Sequence, residues 1–287
     1  MARDSQMRVS FGQLRNRTDL LKGYLAAEKD FPIAFGETLA KGVLKLPCTR
    51  IGPRYVSRTE EAGEYLKVYL RGIDRPLFWP TKLGIFDLYK AATDCLHAED
   101  WHHYEVPETT VQPGDVVLDC GAAEGMFALS VLERASQVVI FEPSPDFAGS
   151  LQETFGNALN ATVVPAALGS VEGKAFLAGG SLYGAVAMDA GIPINITTVD
   201  AWARKTNARV GFIKGDLESY EFEVLKGARA TIEKDQPKIA FTVYHPGNNW
   251  KEMVDFLRGL VPQYQFRIKG LSYNAGYPRP VMLHAWT

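Results

Sequence analysis

Cysteine is scarce in this chain: Cys48, Cys95 and Cys120 are the only three in 287 residues. They are odd in number, widely spaced and without a C-x-x-C pair, which excludes a disulfide framework and gives no sign of a zinc site. A reducing, cytoplasmic setting is therefore expected. An excess of either charge is also missing. Lys and Arg total 31 against 33 for Asp and Glu, a net charge of -2, and no basic run is concentrated anywhere, so nucleic acid is not an expected partner. No segment approaches a membrane-spanning length of uninterrupted apolar residues, and the polar stretch 1–10 has no signal-peptide apolar core, so a soluble protein without a membrane partner is expected. Internal repeats and low-complexity segments are absent. What remains is an enzyme-sized chain that can bury a full core.

The most informative stretch is VVLDCGAAEG, residues 116–125. Val116, Val117 and Leu118 follow the turn pair Pro113-Gly114 and read as a short parallel strand. Gly121 and Gly125 let the backbone turn sharply and approach a ligand with no Cβ in the way. The following MFALSVLER keeps apolar residues at helical spacing, so a helix N-terminus with unpaired N–H groups opens at this turn. A dinucleotide fingerprint needs G-x-G-x-x-G, whereas this chain has D-x-G-x-x-x-G with Ala123 at the second glycine position. Asp119 would repel a pyrophosphate but suits an amino-acid ammonium group, directly or through water. The pattern points to S-adenosylmethionine and away from NAD, although an NAD-dependent oxidoreductase stays as a weaker alternative. A second acid agrees: the strand VVIF, residues 138–141, ends at Glu142-Pro143, where a carboxylate can accept both ribose hydroxyls.

Organisation divides near residue 110. Before it, residues 19–29 and, more weakly, 37–46 read as helices, residues 64–70 and 77–79 as a β-hairpin, and residues 83–97 as a helix. From Asp115 onward strands and helices alternate, the signature of a mostly parallel, doubly wound α/β sheet. Asp146 is placed to cap a helix over 147–158. Strands are expected at 162–164, 210–213 and 238–244, a helix through Val224 and Leu225, another over 250–260, and a closing antiparallel edge from 264–268 and 281–286. The glycine-rich stretch 169–191, around Gly179 to Gly184, is expected to be a long loop and a substrate-facing flap. In such sheets ligands lie outside the carboxyl ends of the strands, which here carry Asp119, Glu142, Pro165 to Ala167, Asp216 with Glu218, and His245.

The blocks VVLDCGAAEG, VVIFEP, FIKGDLESYEFEVLKGA and KIAFTVYH together resemble the FkbM-type family of S-adenosylmethionine-dependent methyltransferases, from about Trp101 to the C-terminus. FIKGDLESYEFEVLKGA is similar to the family's K-I-D-V-E-G-A-E followed by V-L-K-G-A. Lys214, Asp216, Glu218, Glu221, Leu225, Lys226 and Gly227 match, while Gly215 replaces an aliphatic residue and Ser219-Tyr220 replace Gly-Ala. That departure puts Tyr220 beside the site, so the family's usual acceptor shape does not carry over. The resemblance implies a class I methyltransferase (Rossmann-like) fold over residues 111–287, preceded by a helical and hairpin extension over 1–110. It implies O-methylation of a hydroxyl on a sugar, glycoconjugate or natural product.

The cofactor contacts expected on these grounds are Glu105, Asp119, Gly121, Ala122, Gly125, Glu142, Pro143, Ala166, Asp216 and Glu218. Glu105 is included because Tyr104 with Glu105 matches a family position near the methionyl end. His245 is the first candidate base, since an unperturbed imidazole titrates near neutrality; a histidine that merely hydrogen-bonds a loop is the alternative. Asp216 is the second catalytic candidate. It would orient the acceptor hydroxyl, ligate a divalent metal with Glu218 and His245, or serve as a structural acid before the next helix; a metal is left open and is not expected. In EDWHHYE, residues 99–105, the aromatics and histidines either wall an acceptor pocket or plug the N-terminal elements onto the sheet. The expected partner is a small-molecule or glycan acceptor, and a homodimer is compatible with the sequence. A methyltransferase-like protein that binds the cofactor without turnover remains the alternative from another class.

Overall fold

The computed structural model describes residues 11–26, 32–178, 185–187, 190–273 and 278–287. The first helix runs Phe11–Ala26, beginning well before the expected 19–29. A helical stretch over Phe35–Glu37 continues as a π-helix over Thr38–Val43. Strands β1 (Val56–Ala62), β2 (Tyr65–Leu70) and β3 (Leu77–Pro80) then form an antiparallel sheet in that order. The hairpin legible in the sequence is β2–β3. β1 gives no apolar alternation to read because its SRTEE stretch is exposed along its length. The helix Ile85–Leu96 follows, with Leu88 and Ala92 buried one turn apart.

From there β4 (Val116–Cys120), β5 (Gln137–Phe141) and β6 (Ala161–Val164) pair in parallel. The chain next forms β7 (Ala167–Leu168), β8 (Gly173–Ala178), β9 (Ala185–Ala187) and β10 (Ile192–Thr197), a separate four-stranded sheet in the order β7-β10-β8-β9. This replaces the long loop expected over 169–191. Alternating apolar residues in KAFLA and IPINI are too few, and too interrupted by Pro193, to announce strands. The flap expected at Gly179 to Gly184 lies outside the described residues.

β11 (Val210–Gly215) and β12 (Lys238–Thr242) lie parallel to β4. β13 (Gln265–Ser272) and β14 (Arg279–Trp286) close the sheet, with β14 antiparallel to both β12 and β13. The seven-stranded order is β13-β14-β12-β11-β4-β5-β6, the doubly wound, mostly parallel arrangement read from the alternation. Its strands are buried on both faces: Val117, Val138, Ile140 and Phe212 pack on one side, and Leu118, Val139, Ile213 and Ile239 on the other. The order reverses between β4, which leads outward to β5, and β11, which leads the opposite way to β12. A crevice for a ligand therefore opens at the carboxyl ends of β4 and β11.

Two local features differ from expectation. The helix after β5, Pro145–Phe155, is capped by Ser144, whose hydroxyl accepts the Asp146 N–H at 3.3 Å, so Asp146 supplies a first-turn acid and not the cap. An unanticipated helix, Val199–Thr206, is capped by the Thr198 hydroxyl accepting the Ala201 N–H. No helix among the described residues is long and apolar enough to cross a membrane.

Candidate active site

The turn after β4 is held by its neighbours on both sides. Gly121 has φ +72, and a Cβ there would lie 2.0 Å from the Asp216 carbonyl oxygen. The glycine therefore lets the loops after β4 and β11 touch. The N–H groups of Gly121 and Ala122 both donate to the Phe141 carbonyl, and Ala123, in the left-handed region at φ +48, donates its N–H to Glu142 Oε2 at 2.8 Å. Gly125 differs from the role expected of it. A Cβ there would strike the Phe155 ring at 2.6 Å and Leu151 at 2.9 Å, so its freedom serves packing against the Pro145–Phe155 helix, and it does not border the ligand crevice.

Asp119 also departs from expectation. It is 0% exposed, its Oδ1 lies 2.9 Å from the Lys214 ammonium, and its Oδ2 accepts the Ala128 N–H at 3.2 Å. Lys214 sits opposite Asp119 in the β11–β4 register and donates onward to the Gly121 carbonyl at 2.6 Å. Burial opposes the lysine's charge, but the carboxylates of Asp119 and Asp216 outweigh it and hold the ammonium more basic than usual. The cation that Asp119 meets is thus the protein's own.

Two clefts meet over this floor. Gly121, Ala123, Asp216 and Glu218 line both. One is an apolar slot with an acid at its end, formed by Glu142, Pro143, Phe147, Ala166, Leu168 and Tyr220. Glu142 accepts the Ser144 N–H at 2.8 Å through Oε1; burial pushes its carboxyl up to about 7 against the pull of the Ser144 and Ala123 amides. The other cleft is polar, with Ala122, His102, Tyr104, Glu124, Lys214 and Tyr244 among its walls. Sequence reasoning passed over Glu124, whose carboxyl burial also pushes up to about 7.

Glu105 is placed elsewhere. Its carboxylate accepts both Arg134 guanidinium nitrogens at 3.0 and 2.8 Å and the Val111 N–H at 2.8 Å, and it borders a separate surface cavity beside Lys269. The adjacent residue faces the crevice instead: the Tyr104 hydroxyl donates to Asp216 Oδ2 at 2.6 Å.

Asp216 lies between several partners. Thr242 donates its hydroxyl to Oδ1 at 3.2 Å, His102 Nε2 is 3.7 Å from Oδ2, and His245 Nε2 is 3.8 Å from Oδ1. Burial works against the charge of Asp216, but His102, His245, Lys214 and the Tyr104 hydroxyl together hold its carboxyl well below the usual range. Glu218 and Ser219 both adopt left-handed backbone, φ +51 and +87, a local strain of the kind found at functional loops. Glu218 Oε2 is 3.6 Å from His245 Nε2.

His245 does not match the free base expected of it. It is 4% exposed and does not wall either cleft, and its Nδ1 is 2.6 Å from Glu221 Oε1. Burial disfavours the imidazolium, but the Glu221 hydrogen bond and the Asp216, Glu221 and Glu218 carboxylates raise it to about 9. His102 does line the polar cleft; its Nε2 is 3.4 Å from the Tyr244 hydroxyl, and burial holds it below the ordinary histidine value. From sequence it was one of several aromatics and histidines in EDWHHYE offered as an acceptor-pocket wall or a plug, because that stretch has no periodicity that says which side chains turn inward.

A doubly wound sheet with an acid-ended second strand beside its switch point defines the Rossmann-like class I architecture. Within that class, the sequence profile of the methyltransferase FkbM domain matches residues 119–268, just over half of the 287 residues. The chain belongs to the FkbM methyltransferase domain family. Similar solved structures include the FkbM methyltransferase of Methylobacillus flagellatus KT, with 20% identity, TM-score 0.48, and coverage of 70% of this chain and 54% of that one. Aeropyrum pernix fibrillarin, solved with natively bound S-adenosyl-L-methionine, has 13% identity, TM-score 0.40, and coverage of 80% and 98%. Precorrin-6y C5,15-methyltransferase from Geobacter metallireducens GS-15 has 14% identity, TM-score 0.39, and coverage of 63% and 83%. This chain spans about half the length of the Methylobacillus protein. No curated protein matches the sequence.

Proposed function

We propose that this methyltransferase uses S-adenosylmethionine to methylate a hydroxyl on a small-molecule or glycan acceptor, in a cytoplasmic setting. The observation that carries the reading is the pair of clefts that share Gly121, Ala123, Asp216 and Glu218. The residues fit the cofactor. Glu142 ends an apolar slot suited to a nucleoside, its oxygens each keeping a lone pair beyond the amide they accept, and Gly121 and Ala123 keep the floor of both clefts to small residues. When bound, S-adenosylmethionine supplies an electrophilic methyl group on a sulfonium and departs as the neutral thioether.

The chain's own part is positioning, which contributes most of the rate in such transfers. Tyr104 fixes the Asp216 carboxylate by a hydrogen bond at 2.6 Å. That carboxylate can orient an acceptor hydroxyl at the boundary of the clefts. His102, on the polar wall within 3.4 Å of Tyr244, is the group placed to receive the hydroxyl proton. The acid-lined polar cleft and the net charge of -2 favour a polar small molecule over nucleic acid.

The test is a thermal-shift titration with S-adenosylhomocysteine and NADH, followed by turnover with a panel of glycosides. Stabilisation by S-adenosylhomocysteine alone is expected, and His102→Asn should lower kcat by roughly 10²–10⁴ while leaving S-adenosylhomocysteine affinity within a factor of about three. Absence of S-adenosylhomocysteine binding would sink the cofactor assignment. Binding without turnover on any acceptor would favour a cofactor-binding protein without methyl transfer.

A further inference from the structure

We propose that Asp216, Glu218 and His245 form a binding site for one divalent cation of the Mg²⁺ or Mn²⁺ type. Among the described residues they are the one group of three acidic, histidine or cysteine side chains with donor atoms all within 4.8 Å of one another. His245 Nε2 is 3.8 Å from Asp216 Oδ1 and 3.6 Å from Glu218 Oε2. Those separations are too long for hydrogen bonds. They fall between the separation of adjacent ligands, about 3.0 Å, and that of opposite ligands, about 4.2 Å, when each is held about 2.1 Å from a metal.

The orientation of the histidine agrees. The residue is 4% exposed, and its Nε2 faces both carboxylates. Its other nitrogen is held by Glu221 at 2.6 Å. A carboxylate on the far ring nitrogen is the arrangement that fixes the tautomer and orientation of a metal-bound histidine. Glu221 is not itself available as a ligand. It is fully buried, and it accepts the Leu217 N–H at 3.1 Å, the Thr242 hydroxyl at 3.0 Å and the Asn248 amide at 2.7 Å as well as His245. Three carboxylates thus converge on one imidazole, and two oxygen donors with one nitrogen suit Mn²⁺ and Mg²⁺ more than a thiolate-seeking ion.

Asp216 and Glu218 are walls of both clefts, so the ion is reached from the side where ligands enter. Its remaining positions face that space. Resting on the methyl-transfer reading, its task there is to hold and orient the acceptor oxygen. The competing account is an imidazolium that serves alone as counter-ion to its carboxylates.

The experiment uses the full chain stripped with a chelator and titrated with Mn²⁺, following the free-ion signal by electron paramagnetic resonance. One equivalent bound per chain is expected, with nitrogen hyperfine coupling in the pulsed spectrum that disappears in His245→Gln. Glu218→Gln, at a partly exposed position, should weaken binding at least tenfold. Glu221→Gln, which keeps all three donors, should weaken it roughly 10–100-fold. Circular dichroism melting of each variant shows whether it is folded. Failure of the wild-type chain to bind one equivalent of Mn²⁺, or unchanged affinity in folded Glu218→Gln, overturns the site. S-adenosylhomocysteine binding measured on the same stripped chain separates this failure from failure of the cofactor reading.

Discussion

Burial of single carboxylates sets the pH behaviour of this site. Glu124 and Glu142 both titrate at about 7, chiefly because burial disfavours their charged forms. Glu142 at least has two backbone amides to accept from. Glu124, 6% exposed, holds its charge with less help. Its folded-state value lies above the ordinary 4.5, so between those values the folded chain binds the proton and the unfolded chain does not. The stability this group contributes is complete below about 4.5 and is lost as pH rises through about 7. Glu124→Gln removes the charge without removing the shape. At pH 8 the variant should be more stable than the wild type by about 1–3 kcal/mol, while at about pH 4 the two should melt within about a degree of each other. Thermal melts at both pH values decide it, and an equal offset at both would show that Glu124 packing, and not its charge, matters.

At the scale of elements, the Asp119–Lys214 pair joins β4 to β11 where the sheet order reverses. Both side chains are almost wholly buried, so removing Lys214 leaves the Asp119 carboxylate without its cation and with only the Ala128 N–H, among the described residues, to accept from. Lys214→Met should cost about 3–5 kcal/mol. The double change Asp119→Leu with Lys214→Met should recover most of that loss, giving a coupling of at least about 2 kcal/mol in a urea-denaturation cycle; additive losses would mean that the pair holds nothing together. The same strands show what a sequence can reveal. Strands buried on both faces announce themselves by runs such as VVL, VVIF and FTV, and their ends located Glu142, Asp216 and Glu218 on the cleft walls. Exposed β1 and the short strands β7–β10 carry no such run. Asp119 was assigned to a ligand because the sequence does not state the β4–β11 register that supplies Lys214. The match at Tyr104-Glu105 did not say that Tyr104 is the one facing Asp216, because coil has no period from which facing can be read. His245 kept an ordinary basicity on paper because Glu221, 24 residues earlier, is brought to it only by folding.

Across the whole molecule, the division near residue 110 marks a change of pattern and not a gap in the core. One continuous apolar cluster runs from Leu20 and Tyr24 through Trp79, Leu88 and Trp101 to Val117, Phe127 and Met282. Trp101 is the joint. It is 6% exposed, its indole N–H donates to Glu37 Oε1 at 3.1 Å, and its ring occupies the space a Cβ would need at both Gly42 and Gly270. The ring thus lies between the Thr38–Val43 π-helix and β13, elements more than 200 residues apart in sequence. A core shared in this way couples the unfolding of the two regions, since neither keeps its apolar face covered when the other opens. Urea denaturation should therefore give a single transition, with coincident midpoints for far-ultraviolet circular dichroism and tryptophan fluorescence, to which Trp79 contributes from the first sheet and Trp202 and Trp250 from the helices on the main one. Trp101→Ala should lower stability by about 3–5 kcal/mol and move both midpoints together. If fluorescence and circular dichroism instead separate into two transitions in the wild type, residues up to about 110 form a unit that holds its own core, and Trp101→Ala would then shift only one of them.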